Sequence, residues 1–440
     1  MDKKRIAVVF LIVLSTVNGA TAIVPMMPLF AQDQFGATPL QATLVIAAFY
    51  AAQFVAAPWL GKLSDRYGRR PILIVSQIGT IASYAMIAFA AQLGELLDGA
   101  GLALGMSSGL LVLYLARVVD GLTGGNVSVA EAYASDISTP KERARALGLV
   151  GGANGLGHIV GPALAGLLAG INLLAPLIGA AIAGGVTLLL TVVLLDESLP
   201  PESRSASAVS KRDEVPLSQL LARRPIALIL SAAFTIGLYI ATVQGTFSLY
   251  AARVLFPGEP STVVVSNAGL IMTVLGVIVA VSQIILIKPL VGHMGEKRLV
   301  LLGSVFLLVS AVGIGSASSA WLVVLFVVPY AVGFGVSWPT LQSLMTRFGS
   351  EQTAGRLLGL FQSAFSLALI LGPAWGGYVL EKADPRAIYY GGAVLIVIAI
   401  ALSVGIQRLQ IGSAPARHSA VEITAPAEKK KDTRLSVFRH

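Results

Sequence analysis

Cysteine is absent from the 440-residue sequence, and charged residues are scarce, at 12% of the chain. Without cysteine the chain can form no disulfide and has no thiol nucleophile or thiolate metal ligand. Soluble domains carry about 25% charged residues, so this chain has too few to cover a water-facing surface. Its four histidines, His158, His293, His418 and His440, are too scattered to suggest a metal site. We therefore expect lipid to be the main solvent and no metal to be bound.

Apolar residues supply 55% of the chain, and the mean hydropathy is +0.81. A helix needs roughly 20 apolar residues to cross a bilayer, so about twelve crossings use nearly the whole length. Because no room remains for a soluble catalytic domain, we expect that the protein is not an enzyme. A phosphate-binding loop of the Gly-x-x-x-x-Gly-Lys-Ser/Thr type is also missing, which argues against ATP as an energy source. The predicted spans are 6–31, 39–63, 71–93, 108–136, 146–170, 172–195, 225–255, 264–290, 298–318, 320–346, 355–380 and 387–408.

The placement of positive charge predicts the topology. If the N-terminus is cytoplasmic, all of the 31 Lys and Arg residues except Arg117, Arg253, Lys382 and Arg386 lie on the cytoplasmic side. This bias is the positive-inside signal, and an even number of spans then places both termini in the cytoplasm. We predict a multi-pass protein of the cell membrane. Its net charge of +9 is explained by topology and lipid contacts rather than by a nucleic-acid partner.

The chain divides into two similar halves. Residues 145–166 match residues 356–377 at a constant offset of 211, and residues 68–73 similarly match 295–300. Parallel repeats of six helices imply two pseudo-symmetric bundles with a substrate site between them near the membrane midplane. The predicted organisation is an N-terminal bundle (1–195), a cytoplasmic linker (196–224), a C-terminal bundle (225–410) and a disordered basic tail (411–440).

Residues 61–70 read Gly-Lys-Leu-Ser-Asp-Arg-Tyr-Gly-Arg-Arg and lie between spans 2 and 3. They resemble, at every defined position, the Gly-x-x-x-Asp-Arg-x-Gly-Arg-Arg loop of the major facilitator superfamily. Residues 117–125 are similar to its span-4 motif, and residues 148–166 to the span-5 motif of its drug–proton antiporters. Residues 132–137, with 142–145, resemble the tetracycline-efflux branch. The resemblance implies an all-α protein of twelve transmembrane helices that exports drug-like compounds in exchange for protons. We also expect the protein to function as a monomer.

The resemblance also implies an ionic latch on the loop between spans 2 and 3. In the family the Asp of this motif faces the N-terminus of span 11, where the helix dipole favours an anion. The Arg that follows meets an acid at the inner end of span 4, the position of Asp136. The alternative is that these arginines only set the topology. The second half has Gly292 and His293 in place of Asp65 and Arg66, so we expect no equivalent latch there. The predicted latch residues are Gly61, Asp65, Arg66, Gly68, Arg69, Arg70 and Asp136.

Span 4 carries the ionisable residues predicted to couple transport to protons. Arg117, Asp120 and Glu131 fall within a helical sector roughly 60° wide. An ionised side chain at the bilayer centre costs at least ~2.5–3.5 kcal/mol, so the stripe must face a cavity or pair internally. For Arg117 and Asp120 the alternative is a permanent structural pair. Glu131 has no nearby cation in sequence and is the favoured proton carrier, with His158 of span 5 as a further candidate. No cofactor is expected besides the proton gradient.

This chain departs from the tetracycline exporters in span 1, where they have an acid and it has Ser15, Thr16 and Asn18. Small residues in span 5 predict close helix packing, and prolines in spans 5 and 11 predict a bend in each half. The packing and bend residues are Gly157, Gly161, Pro162, Gly372 and Pro373.

Amide and aromatic side chains suit an amphipathic substrate. The predicted substrate contacts are Asn18, Gln53, Asn154, Tyr239, Gln244, Trp338, Gln362 and Phe365. The alternative function is a proton-coupled symporter or a facilitator for a native metabolite such as a sugar or another organic solute.

Overall fold

The structure, a computed structural model, describes residues 3–99, 106–124, 126–199, 217–348 and 351–409. The predicted tail, 411–440, and most of the predicted linker lie outside the described residues. Every regular element in the described ranges is a helix. In chain order these are α1 (Lys3–Phe35), α2 (Pro39–Tyr67), α3 (Arg69–Ala88), α4 (Ala90–Gly99), α5 (Ser108–Thr123), α6 (Asn126–Asp136), α7 (Arg143–Ala169), α8 (Ala175–Leu194), α9 (Leu217–Leu221), α10 (Arg224–Leu255), α11 (Ser261–Met294), α12 (Glu296–Ser316), α13 (Ala320–Arg347), α14 (Glu351–Lys382) and α15 (Ala387–Gln407).

The prediction of an all-α protein with twelve membrane spans is confirmed. Among the described residues, eleven segments are long and apolar enough to cross a bilayer, and α5 and α6 together form one of them. The twelfth span is α7. It has 27 residues, or about 40 Å at 1.5 Å per residue, which exceeds the ~30 Å hydrocarbon thickness. Its seven glycines, with Asn154 and His158, lower its hydropathy below that of the other spans.

The two halves pack their helices in the same way. In the first half α1 lies against α7 and α8, and α3 lies against α5 and α8. In the second half α10 lies against α14 and α15, and α12 lies against α13 and α15. These pairs match span by span, as the sequence repeat predicts. Contacts between the halves are made mainly by α2 with α14 and by α7 with α11.

The halves touch each other at one end of the bundle. We call the end that carries the α2–α3 connection the loop end. At the opposite end, the Ser266 hydroxyl of α11 donates to the Gly166 carbonyl of α7 at 2.6 Å. A Cβ on Gly269 would lie 2.6 Å from the Pro162 carbonyl oxygen, so no larger residue fits there. The opposite end is therefore closed by direct backbone contact.

At the loop end the same helices are separated. A Cβ built on the α7 glycines 148, 151 or 155, or on the α14 glycines 355 or 359, would meet nothing within 4 Å. Helices α7 and α14, which carry these glycines, contact the other half of the molecule nearer the opposite end. Among the described residues, the two halves therefore border open space toward the loop end, which we call the gap.

Candidate functional site

Arg117 and Asp120 form a buried ion pair inside the first half. Arg117 Nη1 donates to Asp120 Oδ2 at 2.6 Å, and each residue is only 3% exposed. The hydroxyl of Thr80 on α3 donates to the other carboxylate oxygen at 2.9 Å. The Arg117 guanidinium lies over the Phe49 ring, 4.3 Å from its centroid. Both oxygens of Asp120 are engaged, so the geometry favours the structural pair over an open proton site.

The predicted stripe does not continue to Glu131, because span 4 is interrupted. Helix α5 ends at Thr123, and Gly124 leaves the helical conformation with φ −71° and ψ 34°. The amide nitrogen of Gln53 on α2 donates to the Gly124 carbonyl at 3.0 Å. Gln53, a predicted substrate contact, therefore uses its amide nitrogen to satisfy the backbone at the helix break.

Glu131 lies exposed on α6. The opposite face of α6, formed by Val129, Ala130, Tyr133 and Ala134, is buried against the first half. Helix α6 contacts α1, α2, α3 and α7, and of these α2 and α7 border the second half. The helix that carries Glu131 therefore packs against both α2 and α7, the two helices of the first half that make most of the contacts with the second half. No hydrogen bond or ion pair engages its carboxylate among the residues that the structure describes.

His158, exposed on α7, lies where span 5 meets the second half. Pro162 has no N–H, so the His158 carbonyl lacks its usual helical donor. That carbonyl oxygen lies 3.4 Å from a Cβ built on Gly276 of α11. Of the other polar candidates, Asn154 is half-buried on α7, and the Asn18 amide oxygen is buried without a partner among the described residues.

The predicted packing glycines of span 5 contact α1. A Cβ on Gly161 would lie 2.8 Å from the Asn18 carbonyl oxygen, and one on Gly157 would lie 2.7 Å from the Val17 Cβ. The Thr21 hydroxyl of α1 donates to the Gly157 carbonyl at 3.0 Å. Large side chains at either glycine would push α7 away from α1.

The second half repeats this packing between α14 and α10. A Cβ built on Gly372 of α14 would lie 2.7 Å from the Ala241 Cβ of α10. A Cβ built on Gly245 of α10 would lie 2.8 Å from the Pro373 ring of α14. The predicted bend residues of the two halves thus occupy equivalent contacts.

Aromatic side chains from α13 and α14 form a cluster. The Trp338 ring lies 4.7 Å from the Phe361 ring and 4.4 Å from the Phe365 ring, measured between centroids, with Phe334 6.1 Å away. Trp338 and Phe365 are partly exposed, and Gln362 beside them is exposed. The structure therefore brings two predicted substrate contacts, Trp338 and Phe365, together, and Gln362 lies one turn from Phe365 on the same helix.

Tyr239 is wrongly predicted as a substrate contact in this conformation. Its side chain is fully buried, and its ring packs 5.7 Å from the Tyr330 ring inside the second half. An aromatic residue on a membrane helix can face either a core or a cavity, and the sequence does not separate the two. Gln244, farther along α10, is half-buried.

Arg69 is the centre of the ion-pair cluster formed by the predicted latch residues. Its Nη1 lies 2.6 Å from Asp65 Oδ1, and its Nε lies 3.1 Å from Asp136 Oδ2. Nη1 also donates to the Ser64 hydroxyl at 2.7 Å, and the Ser198 hydroxyl donates to Asp136 at 3.2 Å. The cluster joins α2, α3 and α6 at the loop end.

The expectation that Arg66 meets Asp136 is wrong. Arg66 is exposed on the last turn of α2, where its guanidinium lies 5.4 Å from the centroid of the Tyr67 ring. Gly68, with φ +108°, turns the chain so that Arg69 begins α3 beside the end of α6. Gly61 has open space around it. Asp65 is partly exposed, and its predicted target at the start of span 11 includes residues outside the described ranges.

Glu197, which the sequence reasoning missed, caps α3. Its carboxylate accepts the backbone N–H of Arg69 at 2.8 Å and that of Arg70 at 3.2 Å. These are orphan donors at a helix N-terminus, where a negative charge is also favoured by the dipole. Gly68 brings no side chain to cap the helix, and a Cβ there would lie 2.6 Å from Glu197 Cδ. Arg70 in turn donates from Nη2 to the Val192 carbonyl at 2.7 Å.

Residues 9–266 and 247–438 match the model of the family described as Major Facilitator Superfamily. The chain belongs to this superfamily. It is 30% identical over 369 residues to the tetracycline resistance protein, class C, of Escherichia coli, covering 82% of this chain and 87% of that protein. It is 28% identical over 403 residues to multidrug resistance protein 2 of Bacillus subtilis (strain 168), covering 88% of this chain and 93% of that one.

Solved structures show the same fold. That of the nucleoside transporter NupG aligns with a TM-score of 0.72 at 13% identity, covering 93% of this chain and all of that one. That of the human organic anion transporter MFSD10 aligns with a TM-score of 0.61 at 22% identity, covering 91% and 99%. The predicted family, a multi-pass membrane transporter of the drug-efflux-like kind, is confirmed.

Proposed function

We propose that this protein is a secondary transporter that exports small amphipathic compounds in exchange for protons by alternating access. The observation that carries the proposal is Glu131, an exposed acid with no partner among the described residues, on a helix that packs against both α2 and α7. We place its carboxylate in the gap between the halves. A carboxylate reached by water through the loop end can bind and release a proton as access alternates. The tetracycline and multidrug resistance relatives support export of drug-like compounds.

The proposed substrate surface lies on the second half. Trp338, Phe365 and Gln362 offer aromatic faces and an amide, which suit a partly aromatic, amphipathic ligand. An acid on the first half and rings on the second favour compounds that carry a positive charge, since aromatic faces attract cations. Arg117 and Asp120 then serve as a brace rather than as proton carriers.

The proposal includes the setting in which transport occurs. The protein acts as a monomer in the cell membrane, with both termini in the cytoplasm and no cofactor besides the proton gradient. With this topology the loop end is cytoplasmic, and the gap opens toward the cytoplasm. A compound would enter from the inside and leave where the halves now touch, at Gly166 and Gly269.

The test uses purified protein in liposomes with an imposed pH gradient and a panel of amphipathic compounds that includes tetracycline. We expect accumulation that depends on the gradient, and Glu131→Gln should abolish that dependence. Glu131→Asp is the matched control, because it keeps a carboxylate and should retain coupling. Equal transport with and without the gradient would instead support a facilitator, and accumulation in the direction of proton flow would support a symporter.

A further inference from the structure

The start of α12 carries an ion pair that the sequence motifs do not reveal. Arg347 Nη2, at the end of α13, donates to Glu296 Oε1 at 2.7 Å. The Ser343 hydroxyl donates to the same oxygen at 2.9 Å. The Glu296 side chain is only 10% exposed, whereas that of Arg347 is 52% exposed.

This pair occupies the same place in the second half as the Arg69–Asp136 pair in the first. The repeat that aligns residues 68–73 with 295–300 places Glu296 at the position of Arg69. The offset of 211 that aligns 145 with 356 places Arg347 at the position of Asp136. In each half the pair joins the first residue of one helix to the last residues of the next.

The backbone around the two pairs is also equivalent. Gly68 and Gly295 both have positive φ, +108° and +77°, with ψ of 159° and 160°. The next basic residue donates to a carbonyl at the end of its half, Arg70 to Val192 and Lys297 to Leu409. Only the signs of the charges in the central pair are exchanged.

We propose that Glu296 and Arg347 form a second loop-end latch, equivalent to Arg69 and Asp136 but with the charges inverted. This corrects the expectation, based on Gly292 and His293, that the second half lacks a latch. The inference rests on the proposed alternating access. Glu296 and Arg347 are positioning residues that hold the α11–α12 junction against α13, so that the loop-end surface of the second half is ordered when the two halves close.

Removing one member of the pair should destabilise the junction more than removing both. Glu296 Oε2 is buried without a partner among the described residues. Removing Arg347 leaves a buried anion without its counter-ion, whereas removing both charges leaves none. Arg347→Gln should therefore perturb the junction more than the double variant Glu296→Gln/Arg347→Gln. Exchanging the residues, Glu296→Arg with Arg347→Glu, restores an ion pair and reproduces the order of charge found in the first half.

Because the chain has no cysteine, a single introduced thiol can report the opening of the loop end without background labelling. Gly359→Cys places one thiol on the open face of α14, where a Cβ meets nothing within 4 Å. Its labelling rate by a membrane-impermeant maleimide, measured in inside-out vesicles, reports loop-end access without substrate or a proton gradient. The result is thus independent of whether the protein exchanges protons for drugs.

In this background we expect Arg347→Gln to raise the labelling rate roughly threefold to tenfold, which lies in the lower part of the range for residues coupled in one ion pair. A poorly ordered surface must be ordered on closing, so the loop end should stay open longer. The exchanged pair should return the rate to within about twofold of the parent. The double Gln variant should label more slowly than Arg347→Gln, because it leaves no buried anion without a counter-ion.

Arg298→Gln is the matched control, because it removes an exposed charge from the first turn of the same helix and should leave the rate unchanged. Size-exclusion profiles establish that each variant is folded. An unchanged or lowered rate in Arg347→Gln would overturn the proposal. The proposal would also be overturned if the exchanged pair kept the raised labelling rate of Arg347→Gln instead of returning toward the parental rate.

Discussion

Replacing Asp120 by Asn removes the carboxylate from the centre of the first half and separates a structural pair from a proton carrier. Asp120 and Arg117 are each 3% exposed, and their charged atoms are 2.6 Å apart. Breaking a buried pair by removing one partner costs about 3–5 kcal/mol, because the remaining charge is uncompensated. In domains of 150–250 residues 1 kcal/mol shifts Tm by roughly 2–4 °C, so Asp120→Asn should lower Tm by several degrees.

The assay is thermal unfolding of purified protein in detergent, followed by intrinsic tryptophan and tyrosine fluorescence. A thiol-reactive dye would report nothing, since the chain has no cysteine. Arg117→Gln with Asp120→Asn removes both charges and should recover most of the loss. Thr80→Val removes the 2.9 Å hydrogen bond to the carboxylate and should cost about 1.5–3 kcal/mol.

Glu131→Gln is the control for this stability series, because its carboxylate is exposed and has no partner among the described residues. We expect its Tm to match that of the parent while its proton coupling is lost. The reasoning would be refuted if Asp120→Asn unfolded at the parental temperature yet no longer responded to a pH gradient. That result would make Asp120 the proton carrier and leave Glu131 without the proposed role.

Three further substitutions test other parts of the structure. Glu197→Gln keeps an acceptor but removes the charge at the start of α3, and should cost roughly 0.3–1 kcal/mol in thermal unfolding; a stability equal to that of the parent would exclude the capping role. Gly161→Leu should abolish transport and lower Tm, because its Cβ would lie 2.8 Å from the Asn18 carbonyl, and full activity would contradict the packing of α7 on α1. Trp338→Leu should weaken export of aromatic compounds about tenfold, within the range of about 0.5–2 kcal/mol for ring contacts. Trp321→Leu is the matched control, because Trp321 is 83% exposed, and equal losses in both variants would argue against a substrate surface at Trp338.

The twelve spans could be predicted because a bilayer restricts the backbone conformations that a membrane-spanning segment can adopt. Every backbone polar group in a bilayer must be satisfied within the chain, so long apolar segments become helices. Even α7, rich in glycine, was recognisable from its repeat in the second half. The helix boundaries differ from the predicted span boundaries, since helices extend beyond the hydrocarbon at the loop end, where α7 starts at Arg143 rather than 146 and α12 at Glu296 rather than 298.

The stripe on span 4 shows where helical periodicity fails. Arg117, Asp120 and Glu131 share one sector only if the helix is continuous, and the interruption at Gly124 breaks that register. A glycine within a helix does not by itself predict a break. The sequence therefore predicts the pairing of Arg117 with Asp120 from their spacing, but only the structure shows that Glu131 lies in a different environment from this buried pair.

Glu197 and the second latch escaped sequence reasoning for different reasons. Glu197 follows span 6 in what reads as a linker, and nothing local shows that it reaches Arg69 and Arg70. The Glu296–Arg347 pair cannot be recognised from the repeat, because the two halves carry different residue types at its positions. An ion pair depends on complementary charge, so exchanging its members preserves the contact while it erases the motif.

The two halves differ most in what they present to the gap. The proposal places an acid of the first half, Glu131, in the gap, whereas in the second half the repeat places Gln342 at that position, one turn beyond Trp338 on the same helix. In the proposed cycle the proton is held by one half and most of the substrate surface by the other. Coupling then requires no direct contact between proton and compound. A positive substrate near Glu131 disfavours its protonation, and a bound proton removes the charge that attracts the substrate, so the two occupy the gap in turn.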